Sequence, residues 1–314
     1  MLYVTGTTKF QMEKRTAITL GKFDGLHRGH QTLMKKVLAC REQGLAATVF
    51  TFDLSPLAVM EGKSQTAMLL TNQERREHLE QMGMEALIEF PFTKEISRMS
   101  AEAFVRDILV GQLRVGTVVI GTDFRFGHNR SGDAALLANM AESCGFRLCV
   151  EDKLKDEESG RIISSTFIRE ELKKGNMEKV NALLGYSYGL EGTVVNGNHL
   201  GSRIGFPTAN LCPPSQKNLP PNGVYTTRTC IRGNWYGSVT NIGNKPTVGD
   251  YPIGAETFVY NWKEPLYGEQ IQVEFLHQIR AEKKFASLEA LRQQVERDKK
   301  TAMQFLTENQ KKDF

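Results

Sequence analysis

A two-part α/β chain is what this sequence predicts: a doubly wound parallel sheet first, then a small antiparallel β-barrel with a C-terminal helix. Three observations lead there. Short apolar runs alternate with helical periods through the first half, the signature of a parallel sheet covered by helices. Near residue 187 the texture changes to brief strand-like runs punctuated by Gly, Pro and Asn, which suits a small barrel. The length, 314 residues, accommodates two domains at about 150 residues each.

Taken in order, "AITLGKF" (17–23) and "AATVFTF" (46–52) read as buried strands rich in β-branched and aromatic residues. Between them "HQTLMKKVLACREQG" sets Leu33, Val37 and Leu38 on one helical face and stops at Gly44. Thr71 to Glu74, in "TNQE", forms a capping-box signature that opens a second helix. Further strands follow at "EALIEF" (85–90), "GTVVIG" (116–121) and "FRLCVE" (146–151), separated by helical segments. After "STFIREELKKGNMEKVNALLGYS" come "GLEGTVV", "GVYTTRTCI", "WYGSVTNI", "AETFVYNW" and "EQIQVEFL" at barrel-like spacing. The last helix, "SLEALRQQVERDKKTAMQFL", carries Leu288, Leu291, Val295 and Met303 at helical spacing, and these are expected to pack. The boundary falls near Leu184–Ser187, giving domains 1–185 and 186–314.

Composition narrows the function. Apolar residues make up 40% and charged residues 24%, with a net charge of only +4 spread along the chain. No concentrated basic face argues for nucleic acid or a membrane surface. The five cysteines are odd in number and form no CxxC pair, so a disulfide framework or zinc site is not expected and a reducing cytoplasm fits. The N-terminus lacks an apolar stretch of signal-peptide length, and no run approaches a membrane span.

Three strand ends carry polar, glycine-bearing segments. In "GKFDGLHRGH" (21–30), His27 and His30 follow a strand and open a helix, where free N–H groups and a partial positive charge attract anions. Gly21, Gly25 and Gly29 let the backbone approach a ligand closely. Helix capping by the histidines and a simple turn at the glycines account for the same residues. "ISSTFIRE" (163–170) places Ser164, Ser165 and Thr166 at another helix start, with Arg169 one turn in. An ordinary N-cap explains the hydroxyls alone, while the added guanidinium suits phosphate. "GTDFRFGHNRSGD" (121–133) brings Asp123, Phe124, Arg125, Phe126 and Arg130 to the same sheet edge. In open parallel sheets, ligands bind at that edge.

Those three segments, in this order and spacing, resemble the nucleotidyltransferase domain of the bacterial bifunctional riboflavin kinase/FAD synthetase family. The resemblance implies that His27 and His30 hold the triphosphate of ATP, within a nucleotide site that includes Gly21, Phe23, Asp24, Gly25 and Arg130. Ser164, Ser165, Thr166 and Arg169 would close on the phosphates, and Asp123 would line the nucleotide and flavin pocket. The implied reaction joins FMN to the α-phosphorus of ATP, giving FAD and pyrophosphate.

The second half carries its own constellation. In "LGSRIGFPTAN" (200–210), Gly201 and Gly205 suit a loop close to phosphates, and Pro207 stiffens its exit. Thr208 and Asn210 offer neutral oxygens that suit Mg²⁺. A plain turn between strands would have the same composition. Glu256, within "AETF", stands in an apolar run, where a carboxylate is costly unless it is paired, working or turned to solvent. "GFPTAN", "NGVY", "NIGNKPT", "AETF", "LYGE" and "IRAEKKFASLEAL" occur in the same order in riboflavin kinases, and the resemblance spans about residues 15 to 305. It implies that Glu256 is the general base for the ribityl 5′-hydroxyl and that Thr208 and Asn210 hold Mg²⁺. Gly201, Arg203, Gly205, Phe206 and Pro207 would line the ATP site, and Arg280 would help enclose the flavin. The implied substrates and products are riboflavin, FMN, FAD and ATP. Three departures stand out: "TFDLSP" replaces a Pro-His-Pro pattern at Leu54 and Ser55, "LGYSY" marks the junction, and Ser202 stands where arginine is frequent.

Overall fold

In a computed structural model, residues 1–53, 67–197, 205–244 and 253–310 are described. The chain forms two compact units, Met1–Ser165 and Thr166–Phe314.

The first unit is built on six parallel strands: β1 (Leu2–Thr5), β2 (Thr16–Leu20), β3 (Ala46–Phe52), β4 (Ala86–Phe90), β5 (Val115–Gly121) and β6 (Arg147–Glu151). Their order is β1-β4-β3-β2-β5-β6. Strand β2 is central because the chain winds outward from it in both directions. The switch of winding therefore lies at the carboxyl end of β2, where doubly wound folds bind ligands. Every residue of β2 and β4 is buried, as a sheet covered on both faces requires. Ile18, Val118, Leu87 and Ile88 are each at most 0% exposed. Full burial of one such side chain stabilises by about 1.5–3 kcal/mol. The edge strand β1 had no counterpart in the sequence reading, because its four residues gain order only by pairing with β4.

Helix α1 (Arg28–Ala39) is capped by His27 and buries Met34 and Val37. Its core face is thus turned toward Met34, whereas Leu33 and Leu38 are half-buried. Helix α2 (Asn72–Gln81) starts with the expected capping box: Thr71 accepts from Glu74 N–H, and Glu74 accepts from Thr71 N–H. A π-helical stretch over Phe104–Gln112 buries Phe104, Val105, Ile108 and Leu109. Helix α3 (Ala134–Cys144) is capped by Asp133 and ends at the left-handed Gly145. Helix α4 (Ser165–Lys173) and helix α5 (Met177–Leu184) follow β6, the second ending at left-handed Gly185.

The second unit is an antiparallel barrel of β7 (Gly189–Thr193), β8 (Ala209–Leu211), β9 (Gly223–Ile231), β10 (Asn234–Asn244), β11 (Ile253–Val259) and β12 (Gln270–Ala281). The order is β7-β12-β9-β10-β11-β8. A bridge between Val195 and Asn210 brings the two ends of that order together. Thr227, Thr229, Ser238, Thr240 and Thr257 are fully buried, yet each hydroxyl meets another at 2.7–2.9 Å. A buried polar row of this kind is tolerated because every member is satisfied.

Helix α6 (Leu288–Gln310) lies on this barrel with only part of the expected face: Leu291 and Val295 are half-buried, whereas Leu288 and Met303 are turned outward. Leu288 is 59% and Met303 41% exposed. The contact runs instead through Asp298 and Ala302, which are buried, and through half-buried Phe305 and Leu306. Two features set that face. Asp298 receives the guanidinium of Arg280 on β12, and the small Ala302 packs with Val224 and Val239. A buried ion pair and a close approach outrank the more apolar side chains beside them.

Candidate functional site

The loop leaving β2 determines the first site. Phe23, Gly25 and Leu26 all have positive φ (48°, 85° and 39°). That conformation is easy for glycine and strained for the other two, the kind of cost retained at functional positions. The folded loop delivers His27 to the cap of α1, where its Nδ1 accepts the backbone N–H of His30 at 3.3 Å. That bond leaves the proton of a neutral imidazole on Nε2, a free donor. The two rings stack with centroids 3.6 Å apart and 19° between planes. Phe23 meets His30 edge-on at 5.2 Å.

Burial keeps both imidazoles neutral. Desolvation lowers His27 from 6.5 to about 4. His30 is pushed well below its ordinary value, first by desolvation and then by the neighbouring His27. Its Nδ1 is buried with no hydrogen-bond partner among the described residues. The pair therefore offers neutral N–H donors at a helix start rather than two standing cations.

The second predicted segment meets the first. Ser165 Oγ donates to the backbone carbonyl of Asp24 at 2.7 Å. A Cβ added at Gly29 would lie 3.7 Å from Ile163 O. Ser164 precedes helix α4, and Thr166 and Arg169 follow within it. Asp24 itself is 4% exposed, and its Oδ1 accepts from the N–H groups of Leu69 and Leu70 at 2.8 and 3.4 Å. The carboxylate thus anchors the segment before α2.

Beside this loop opens a cavity of about 500 Å³. Gly21 and Lys22 line it just beyond β2, and six phenylalanines contribute to its wall: Phe50, Phe52, Phe92, Phe104, Phe124 and Phe126. Arg125 and Arg130 also line it and are exposed. Asp123 is absent from the lining; it is exposed and pairs with Lys153 at 2.7 Å. The "TFDLSP" departure at Leu54 and Ser55 lies outside the described residues.

The second site sits on the outer face of β11. Glu256 stands in register with Asn210 on β8 and with Asn241 on β10, so two amide-bearing residues flank it. Asn210 Nδ2 donates to the carbonyl of Thr208 at 3.2 Å. Phe258, two residues along the same face, meets Phe206 edge-on at 6.0 Å. The ammonium of Lys299 on α6 lies 4.5 and 4.6 Å from those two rings. Gly205 has φ +87° and leads through Phe206 and Pro207 into Thr208. Gly201, Ser202 and Arg203 lie outside the described residues.

Two family models divide the chain between them: the FAD synthetase model matches residues 9–167 and the riboflavin kinase model residues 184–306. The bifunctional riboflavin kinase/FMN adenylyltransferase of Haemophilus influenzae is 35% identical over 92% of this chain and 94% of its own length. This chain belongs to the bifunctional riboflavin kinase/FMN adenylyltransferase family. The relative of the same name from Bacillus subtilis is 32% identical over 94% of both chains. A crystal structure described as a macrolide-efflux protein from Streptococcus pneumoniae superposes with a TM-score of 0.86 at 28% identity, covering 96% of this chain and 98% of that one. No described helix of this family member is long and apolar enough to cross a membrane.

Arg280 has a structural task in this member of the riboflavin kinase/FMN adenylyltransferase family. Its Nε and Nη2 grip Asp298 Oδ2 at 2.9 and 2.8 Å, and Gln294 donates to Oδ1 of the same carboxylate. The guanidinium fastens α6 to the barrel. Sequence reasoning missed Asn241, Phe258 and Lys299 at the second site and Arg75 and Asn72 at the first. Only the strand alternation Glu256–Phe258 carried a local signal for any of them.

Proposed function

We propose that this chain carries riboflavin through FMN to FAD with two molecules of ATP, the adenylyl transfer in residues 1–185 and the kinase step in residues 186–314. The observation that carries the reading is that the FAD synthetase and riboflavin kinase models fall one after the other on separate parts of the chain. The riboflavin kinase model, which begins at residue 184, supports a boundary near 185, although the compact units part earlier, between Ser165 and Thr166.

In the kinase step, Glu256 takes the proton of the ribityl 5′-hydroxyl as its oxygen attacks the γ-phosphorus of ATP, and ADP leaves. Asn210 and Asn241 stand opposite Glu256 on the neighbouring strands. A divalent cation fits here. Thr208 and Asn210 are hard, neutral oxygen donors, and the Asn210 amide is so closely cradled that a Cβ at Gly197 would come within 2.5 Å of it. Thr208 and Asn210 would hold Mg²⁺, which supplies charge neutralisation at the nucleotide phosphates when bound.

In the adenylyl transfer, an oxygen of the FMN phosphate attacks the α-phosphorus of ATP and pyrophosphate leaves. No group of the enzyme becomes covalently bonded. Nε2–H of His27, the imidazole of His30 and the start of α1 stabilise charge on the phosphates, and the family resemblance adds Ser164, Thr166 and Arg169 to that role. The cavity of phenylalanines receives the flavin ring. Residence in the cytoplasm belongs to the same reading, supported by five unbridged cysteines.

The test is chromatographic separation of flavins after incubation with Mg-ATP, once from riboflavin and once from FMN. FMN and FAD from the first, with FAD from the second, are expected. No FAD from either start would remove the adenylyl transfer, and no FMN from riboflavin would remove the kinase.

A further inference from the structure

We propose that Arg75 recognises the polar edge of the flavin ring in the first unit, a role that rests on the adenylyl-transfer reading above. The argument begins with the cavity wall. Phenyl rings can hold a flat aromatic plane, but they leave the pyrimidine end of an isoalloxazine, with its two carbonyls, without hydrogen bonds. Buried polar groups in such a place need partners, and ligand cavities supply them through a few fixed polar side chains.

Among the cationic residues lining the cavity, Lys22, Arg125 and Arg130 are exposed, whereas Arg75 is only 4% exposed. Its Nη2 donates to Glu89 on β4 and to Asn72 at 3.2 Å. Its Nε is buried and has no hydrogen-bond partner among the described residues. Asn72 lines the same cavity. The guanidinium is therefore a buried, incompletely used donor in an otherwise phenyl-rich wall.

Its position is rigidly maintained. Glu89 is 2% exposed, and the hydroxyl of Tyr3 on β1 donates to its second oxygen at 2.5 Å. Tyr3 thus connects the edge strand to the acid that fixes Arg75. Carbonyl acceptors on the flavin would complete the arginine, while a ring lacking them would leave its donors buried and unpaired. Sites built this way discriminate by the penalty on the wrong ligand.

The test uses the full chain and FMN analogues in which sulfur replaces either ring carbonyl oxygen, because sulfur is the weaker acceptor. In the wild type, at least one of 2-thio-FMN and 4-thio-FMN should show a KM about tenfold above that of FMN. Arg75→Lys keeps a cation beside Glu89 but loses the planar donors. Its KM for FMN should rise about tenfold with KM for ATP within about twofold, and its preference for FMN over the thio analogue should vanish. A purely structural role would weaken FMN and analogue alike and leave the preference intact; that result overturns the proposal. Should the variant fail to fold, the wild type still decides: both analogues within about twofold of FMN would exclude an acceptor contact. A wild type that makes no FAD from FMN defeats the underlying reading instead.

Discussion

His27 caps helix α1 through the backbone N–H of His30, and the two imidazoles stack 3.6 Å apart. One residue pair thus ends a strained loop, begins a helix and presents ring N–H donors at the switch point of the sheet. Capping and anion binding were alternatives in the sequence. The geometry makes them compatible, since the cap uses Nδ1 of His27 and leaves Nε2 over.

Loss of the second imidazole should act on one reaction alone. His30→Ala is expected to lower FMN-to-FAD conversion by about tenfold to a hundredfold. Riboflavin phosphorylation, measured in the same preparation, should stay near wild type. Unchanged FAD synthesis would refute the phosphate role of this pair.

Glu256→Gln should do the reverse. Removing a general base costs about a hundredfold to ten-thousandfold, so FMN formation should fall by that amount while FMN is still converted to FAD. Separate initial rates from riboflavin and from FMN distinguish the two steps.

The depressed histidines make the protein sensitive to acid. His27 titrates at 6.5 when unfolded and at about 4 when folded, so between those values the unfolded chain binds more protons. Its contribution to stability is complete above pH 6.5 and is lost as pH falls toward 4. Thermal midpoints recorded at about pH 7.5 and about pH 5 should differ less for His27→Asn, which retains a capping side chain, than for wild type. Equal differences would show that burial of this imidazole does not govern the acid response.

Breaking the Arg280–Asp298 pair should loosen α6. Asp298→Ala leaves a guanidinium 20% exposed without its carboxylate, and removal of one partner of such a pair costs about 3 kcal/mol. Denaturant unfolding should show that loss. If Arg280→Met raised only the KM for riboflavin with stability unchanged, Arg280 would be a flavin ligand after all.

Local chemistry alone was enough to announce several elements. The Thr71–Glu74 capping box needs only four adjacent residues, and it forms as read. Strand β9 coincides with "GVYTTRTCI" because β-branched enrichment and flanking turn residues bound it on both sides. The glycine and histidine loop stood out for the same reason: its residue types are unusual within one short segment, and it forms a tight turn into a helix capped by His27.

What the sequence by itself determined, then, is the alternation of strands and helices apart from the edge strand β1, and the change from a parallel sheet to an antiparallel barrel, both of which depend on neighbours within a turn or a strand. Tertiary structure decided the rest. Phe50, Phe92, Phe104 and Phe126 are scattered along the chain, and only the sheet order gathers them around one cavity. Asp123 and Arg280 found ion-pair partners in Lys153 and Asp298, and α6 turned Ala302 rather than Met303 to the barrel. The physical reason is common to all of these. Caps and periodicity are properties of adjacent residues, whereas burial and charge pairing depend on groups that meet only after the chain has folded.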